Sequence, residues 1–175
     1  MKFISLTQTA AIALTLTIMT PFLRASTPIE IGSPAPAVTA KDQDGNIFQL
    51  ADAAAQGTLL VYFYPKADTP GCTAQACSLR DEIEDLKEIG ISVVGVSRDT
   101  PEAQKKFQEK YELPFPLLAD KDGEVAKAFG VGSLLGFSNR SSFLIRDGKI
   151  VWFTKKAQTG RHAKEVMAAV AALEK

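Results

Sequence analysis

The sequence predicts an α/β fold: a central mixed sheet flanked by helices and entered through an N-terminal β-hairpin. Three observations point to it. Leu59–Tyr64 is an unbroken apolar run of strand length, and Ile91–Ser97 is a second, β-branched one; both look like central strands covered on two faces. Each is followed by a segment with apolar residues every three or four positions, the helical period. Near the C-terminus, Asp147-Gly148 separates two short strand-like runs, a strong hairpin signal.

The first 25 residues differ in composition from the rest of the chain. Lys2 precedes an apolar stretch centred on Ala10–Met19, then Pro21-Phe22-Leu23-Arg24-Ala25-Ser26, with no acidic residue before Glu30. This composition predicts a secretory signal peptide over residues 1–25, cleaved after Ala25. Phe3–Leu23 is uncharged and just long enough to span a bilayer, but Ser5, Thr7, Gln8, Thr9, Thr15 and Thr17 make it a poor anchor. With no cysteine near the cleavage region, a lipoprotein anchor is excluded. Residues 26–175 read as one domain, exported to a periplasm or an organellar or thylakoid lumen and free of stable membrane association after cleavage.

In the domain, Val38–Lys41 and Ile47–Leu50 flank Asp42-Gln43-Asp44-Gly45-Asn46, which predicts a hairpin. The acidic turn lacks the spaced ligands and distal Glu of a calcium loop and reads as a plain turn. Leu59–Tyr64 comes next as a strand. From about Thr69 or Gly71 to Ile89, Ala76, Leu79, Ile83 and Leu86 form an apolar stripe among charged residues, with Gly90 as the stop. Ile91–Ser97 is the next strand. Thr100-Pro101-Glu102 opens a helix to Tyr111 with Thr100 as N-cap. Leu117–Ala119 is a short strand and Glu124–Phe129 a short helix ended by Gly130. Ser142–Ile145 and Ile150–Phe153 form the closing hairpin, with Trp152 in the core, and His162–Leu173 a final helix with Val166, Met167, Val170 and Leu173 on one stripe. Parallel strands first and an antiparallel hairpin last make a thioredoxin-like α/β sandwich.

An apolar content of 46% over 175 residues is ample for one core. Lys plus Arg and Asp plus Glu number 20 each, without a basic block, so neither nucleic acid nor an acidic membrane surface is an implied partner.

Cys72 and Cys77 are the chain's 2 cysteines, and they lie in the stretch Pro65–Cys77 directly after the Leu59–Tyr64 strand. That puts a thiol at a strand-to-helix junction, where free backbone N–H groups and the positive end of the helix dipole favour the thiolate, the reactive form of cysteine. Pro65 and Pro70 constrain the loop and remove two competing N–H groups, while Gly71 lets the backbone come close. Thr69, three residues before Cys72, can hydrogen-bond the sulfur or a substrate oxygen, or serve as the helix N-cap. In an oxidising compartment two close cysteines can form a structural disulfide. However, residues five apart on a helix have Cα atoms on the order of 8–9 Å apart, against about 4.4–6.8 Å in a disulfide. A bond between them requires the helix to unwind locally, so it would act as a switch.

Pro65, Thr69 and Cys72 match the pattern Pro-x-x-x-Thr/Ser-x-x-Cys, and this stretch resembles the active-site motif of the peroxiredoxins, in the Q-type or bacterioferritin comigratory protein subfamily. The resemblance extends from about Gly32 to the C-terminus. It implies a peroxidase that reduces hydrogen peroxide and organic hydroperoxides without a cofactor. Cys72 becomes a sulfenic acid that condenses with a thiol, either Cys77, as in members with this spacing, or an external one. The resemblance assigns to Arg140, at the start of the Ser142–Ile145 strand, the role of the active-site arginine, a permanently charged fork of donors suited to a thiolate and a polarised O–O bond. It also implies regeneration by thioredoxin or a thioredoxin-like dithiol and a monomeric chain. Arg146 and Arg161 read as solvated, and His162 as a surface or capping residue.

Two other classes share features of the chain. A thioredoxin-like disulfide oxidoreductase would want Cys-x-x-Cys, and a proline where Arg140-Ser141 stands. A copper carrier would want a histidine near the two thiols, yet the 1 histidine lies in the terminal helix and Arg140 opposes a cation.

Overall fold

A computed structural model describes residues 29–174; the predicted signal segment and its cleavage point lie outside the described residues. The chain enters through the predicted hairpin, β1 (Thr39–Lys41) and β2 (Ile47–Gln49). Its turn is closed by the Asp42 carboxylate, which accepts the backbone N–H groups of Asp44 and Asn46 at 2.9 Å each, an Asx-type turn. A helical turn not anticipated from the pattern, α1 (Leu50–Ala54), then leads to β3 (Thr58–Phe63). All six β3 residues are buried.

The helix predicted as one run to Ile89 is two: α2 (Pro70–Asp81) and α3 (Ile83–Glu88), separated at Glu82 where the backbone leaves the helical region (φ −109°, ψ 21°). The corner brings the chain back to the sheet, burying Leu86 completely and letting β4 (Ile91–Ser97) start after the Gly90 stop (φ 74°). Then come α4 (Pro101–Lys110), β5 (Leu117–Ala119), α5 (Glu124–Ala128), a small ribbon β6 (Ser133–Leu134) and β7 (Phe137–Ser138), β8 (Ser141–Arg146), β9 (Lys149–Thr154) and α6 (His162–Leu173). Thr100 caps α4 as expected, its hydroxyl accepting the Ala103 N–H. The ribbon falls in a stretch without a strand-like pattern, turned by Leu135 and Gly136 at positive φ.

The main sheet runs β2-β1-β5-β4-β3-β8-β9. Strands β3, β4 and β5 are parallel, and β8 joins β3 antiparallel with Phe63 opposite Ser141. This is the thioredoxin-like arrangement with its N-terminal hairpin added at the β5 edge. Alternation along β3 splits the core: Leu60, Tyr62 and the following Tyr64 pack with α2, α4 and α6, while Leu59, Val61 and Phe63 pack with α1 and α5. Gly95 on β4 makes room for Tyr62, since a Cβ there would lie 2.8 Å from its ring and 2.7 Å from Leu117.

Several expectations about single residues change. Leu173 is 43% exposed at the end of α6, and Trp152 is only partly buried. Arg146 is not simply solvated, because its Nε donates to the Thr58 hydroxyl at 3.0 Å. His162 is completely buried rather than on the surface. Burial is tolerated because both ring nitrogens have partners, Nε2 with the Ser142 hydroxyl at 2.9 Å and Nδ1 with a Glu165 carboxylate oxygen at 3.1 Å.

Burial pushes the His162 imidazole below its ordinary value of 6.5, outweighing the Glu165 hydrogen bond and charge that favour the cation, with Arg140 nearby acting in the same direction as burial. The folded chain therefore holds His162 neutral where the unfolded chain begins to protonate it. Its contribution to stability is complete above about pH 6.5 and is lost as pH falls through the folded value. The urea midpoint is expected to fall between pH 7 and pH 5.5, and the fall to be smaller in His162→Gln. Equal slopes in the two proteins would remove His162 as the cause.

Candidate active site

The β3 strand ends at Phe63, and the next residues build the site. Tyr64 still bonds the Val96 carbonyl through its N–H at 3.1 Å, so the loop Pro65–Thr69 leaves the sheet from a fixed point. Two further ties hold it. Asp99, itself bonded to the Ser97 hydroxyl at 2.6 Å, accepts the Ala67 N–H at 2.8 Å. Asp68, in the left-handed region (φ 57°), accepts from Lys110 Nζ at 2.8 Å and from the Tyr111 hydroxyl at 2.6 Å. These bonds, Lys110 first, hold the Asp68 carboxyl below its usual range.

Pro70 occupies the first helical position of α2, where a missing N–H costs nothing and the fixed φ fits the helix. Cys72 lies two residues later, in the first turn, whose backbone N–H groups have no partner within the helix. Thr69 is the N-cap by backbone geometry, but its side chain makes no capping bond. Its hydroxyl instead donates to the Lys66 carbonyl at 3.0 Å, which leaves its lone pairs available as acceptors.

Arg140 arrives from the neighbouring strand of the sheet. The β3–β8 pairing of Phe63 with Ser141 sets the residue just before β8 beside the end of β3. Its Nη2 lies 3.4 Å from Cys72 Sγ and its Nη1 donates to Gln75 Oε1 at 2.5 Å. The two arms of one guanidinium thus bridge two side chains one helical turn apart. Gly71 makes this approach possible: a Cβ there would sit 3.3 Å from Arg140 Nη2 and 3.7 Å from Thr159. Cys72 is 1% exposed among Tyr62, Tyr64 and Ala76, so the Pro-Gly turn before it does not leave the sulfur open to solvent. Cys77 is half-buried on the same helix, and both thiols are free.

Of the five residues singled out in the sequence, the structure joins Arg140 to Cys72; Thr69 stands at the N-cap of the same helix, Cys77 lies five residues on along it, and Pro65 opens the loop that leads in. It adds Gln75, fully buried, which steadies the arginine. A signal for Gln75 was present: it is polar, yet it lies on the Cys72–Ala76–Leu79 face of α2. Asp68 and Asp99 carried none, since the bonds by which they hold the loop, Asp68 to Lys110 and Asp99 to Ala67, span 42 and 32 residues. Among the described residues no group of three or more His, Cys, Asp or Glu could hold a metal ion.

The AhpC/TSA family matches residues 31–153. The chain is 44% identical over 148 residues to peroxiredoxin Bcp of Escherichia coli K12, covering 80% of this chain and 94% of that protein. Among solved structures it superimposes on peroxidoxin BcpB of Mycobacterium tuberculosis with a TM-score of 0.77 at 34% identity, covering 82% of this chain and 97% of that one. The bacterioferritin comigratory protein of Xanthomonas campestris, described for alkyl peroxide reduction, superimposes with a TM-score of 0.74 at 29% identity over 84% and 98% of the two chains. Likeness of this extent accounts for a thiol held in the first turn of α2 under a guanidinium: the chain belongs to the AhpC/TSA family, as a peroxiredoxin of the Bcp or Q type, and is a thiol-dependent peroxidase.

Proposed function

We propose that Cys72 is the peroxidatic cysteine and Cys77 its resolving partner, assisted by Arg140 and Thr69 on a loop that Pro65 helps to shape. The observation that carries this is the 3.4 Å approach of Arg140 Nη2 to Cys72 Sγ at the start of a helix that also bears the second thiol. The Cys72 thiolate attacks one peroxide oxygen, the O–O bond breaks, and the other oxygen leaves with a proton as water or alcohol. Cys72 is left as a sulfenic acid. Arg140 and the first-turn N–H groups stabilise the charge that moves from sulfur to the departing oxygen. The Thr69 lone pairs are free to accept a hydrogen bond from the peroxide O–H. Cys77 then attacks the sulfenic sulfur, forming the disulfide and releasing water.

The substrate range includes hydrogen peroxide and organic hydroperoxides, supported by the alkyl peroxide reduction named for the Xanthomonas relative. An outside dithiol, thioredoxin or a protein like it, returns the electrons. If residues 1–25 act as a signal peptide, this donor works in an export compartment. With both cysteines on one helix, a turnover needs no second copy, and we read the working unit as a monomer.

The test is intact mass after one equivalent of hydrogen peroxide. The domain is expected to lose two hydrogens, and Cys77→Ser to gain one oxygen at an unchanged initial rate, with over-oxidation only when further peroxide is added. An unaltered wild-type mass would overturn the assignment. Amide exchange over Cys72–Leu79 is expected to be faster in the oxidised protein, because the disulfide cannot form on an intact helix.

A further inference from the structure

Disulfide formation requires the turn from Gly71 to Ser78 to unwind while Leu79, fully buried just beyond it, holds the rest of α2 to the core. What restrains that turn decides how fast the sulfenic acid is resolved. One restraint comes from the opposite end of the chain. The Ser78 hydroxyl, next in sequence to Cys77, accepts the backbone N–H of Ala163 at 3.2 Å. Ala163 is the second residue of α6, so this N–H is one of the four that a helix leaves without an internal partner. The α6 N-cap, Arg161, supplies no side-chain capping bond, and Ala163 is fully buried. A serine of α2 thus caps α6.

The start of α6 is itself held firmly. His162 is pinned between Ser142 on β8 and Glu165, and the Glu165 carboxylate also accepts the Gln158 N–H at 3.0 Å, closing the loop before the helix. Thr159 of that loop faces Gly71 at the other end of the turn that must unwind. The anchor is therefore rigid and the bond to Ser78 is the element that must yield.

We infer that Ser78 is a positioning residue for resolution: its hydrogen bond to the Ala163 N–H latches the Cys77 turn in the helical, peroxide-reactive state and slows disulfide formation. The inference rests on the two-cysteine reading above. The latch leaves peroxide attack untouched, because Ser78 contacts neither Cys72 nor Arg140 by hydrogen bond. It lengthens the life of the sulfenic acid, during which a second peroxide can drive Cys72 to the sulfinic state. In the disulfide form the Ala163 N–H is released and must turn to water.

Ser78→Ala removes the acceptor, and Ser78→Thr keeps it. Loss of one such bond speeds a step that must break it by roughly three- to tenfold. Alanine is the better helix former, which offsets this by about twofold. Rapid mixing of the reduced protein with one equivalent of hydrogen peroxide, quenching and intact mass follow oxygen gain and disulfide formation separately. The expected result is equal oxygen gain in all three proteins and disulfide formation roughly two- to fivefold faster in Ser78→Ala. Ser78→Thr is expected to stay within about twofold of wild type. In excess peroxide, Ser78→Ala should accumulate correspondingly less sulfinic product. Disulfide formation in Ser78→Ala no faster than in wild type would overturn the latch. So would equal Ala163 amide exchange in reduced and oxidised wild type, a measurement that needs no variant. Failure of the wild-type protein to gain oxygen at all would instead overturn the Cys72 assignment, and the latch with it.

Discussion

Cys72→Ser is expected to lower the rate of peroxide consumption on the order of 10⁴-fold or more, the scale seen when a catalytic nucleophile is removed. A serine hydroxyl stays protonated and is a poor nucleophile at neutral pH, so Arg140 and the first-turn N–H groups would have no thiolate to act on. The effect should be chemical and not a loss of fold. Oxygen replaces sulfur at a site that offers a donor, Arg140 Nη2, 3.4 Å from the sulfur, and a small shift of that flexible side chain gives the buried hydroxyl its partner. Peroxide loss measured with dithiothreitol as reductant, beside a urea midpoint, separates the two. Near wild-type consumption by Cys72→Ser with loss in Cys77→Ser would exchange the roles of the two thiols.

Arg140→Ala is the second large effect. Removing a donor placed where charge develops costs about 10²–10³ in rate, and here the lost group also carries the positive charge. Arg140→Lys is the sharper comparison. A single ammonium cannot reach Gln75 Oε1 and Cys72 Sγ with two rigid arms as the guanidinium does, so the charge survives and the fork does not. At least a tenfold loss is expected, by order of magnitude, in the second-order rate with peroxide. Gln75→Ala probes the same fork from its other end: with Arg140 intact but untethered, a smaller loss is expected, on the order of tenfold. All three should slow oxygen gain by Cys72 in stopped-flow mixing and leave the later disulfide step nearly unchanged. If Arg140→Lys matched wild type, charge alone would suffice and the bridging geometry would have no kinetic role.

The parts of this protein that were legible in advance are those whose cause lies within a short window. The apolar run Leu59–Tyr64 is a central strand because every residue in it is apolar, and the structure buries all of it. The turn Asp147-Gly148 closes β8 on β9 with both residues at positive φ, as the pair predicts. Pro70 starts α2 where its ring fits. The errors have the opposite character. The break at Glu82 interrupts an apolar stripe that is continuous in sequence, because Leu86 has to meet the core next to the start of β4. His162 has the composition of a surface residue and is buried by two partners, one of them 20 positions away.

The same division runs through the site. Local order determined that Cys72 stands in the first turn of a helix after a buried strand, that Thr69 and Pro65 flank it, and that Cys77 shares its helix at a spacing no relaxed disulfide spans. Family resemblance placed Arg140 with them across 68 residues, a link that composition and periodicity do not contain. Only the tertiary structure decided how that arginine is aimed, by pairing β8 with β3 and burying Gln75 under its second arm. It alone set Ser78 against Ala163, 85 residues on. The reason is physical: backbone propensity and amphipathic period are properties of neighbours along the chain, whereas a side-chain hydrogen bond depends on which surfaces the sheet order and the helix packing bring within about 3 Å of each other.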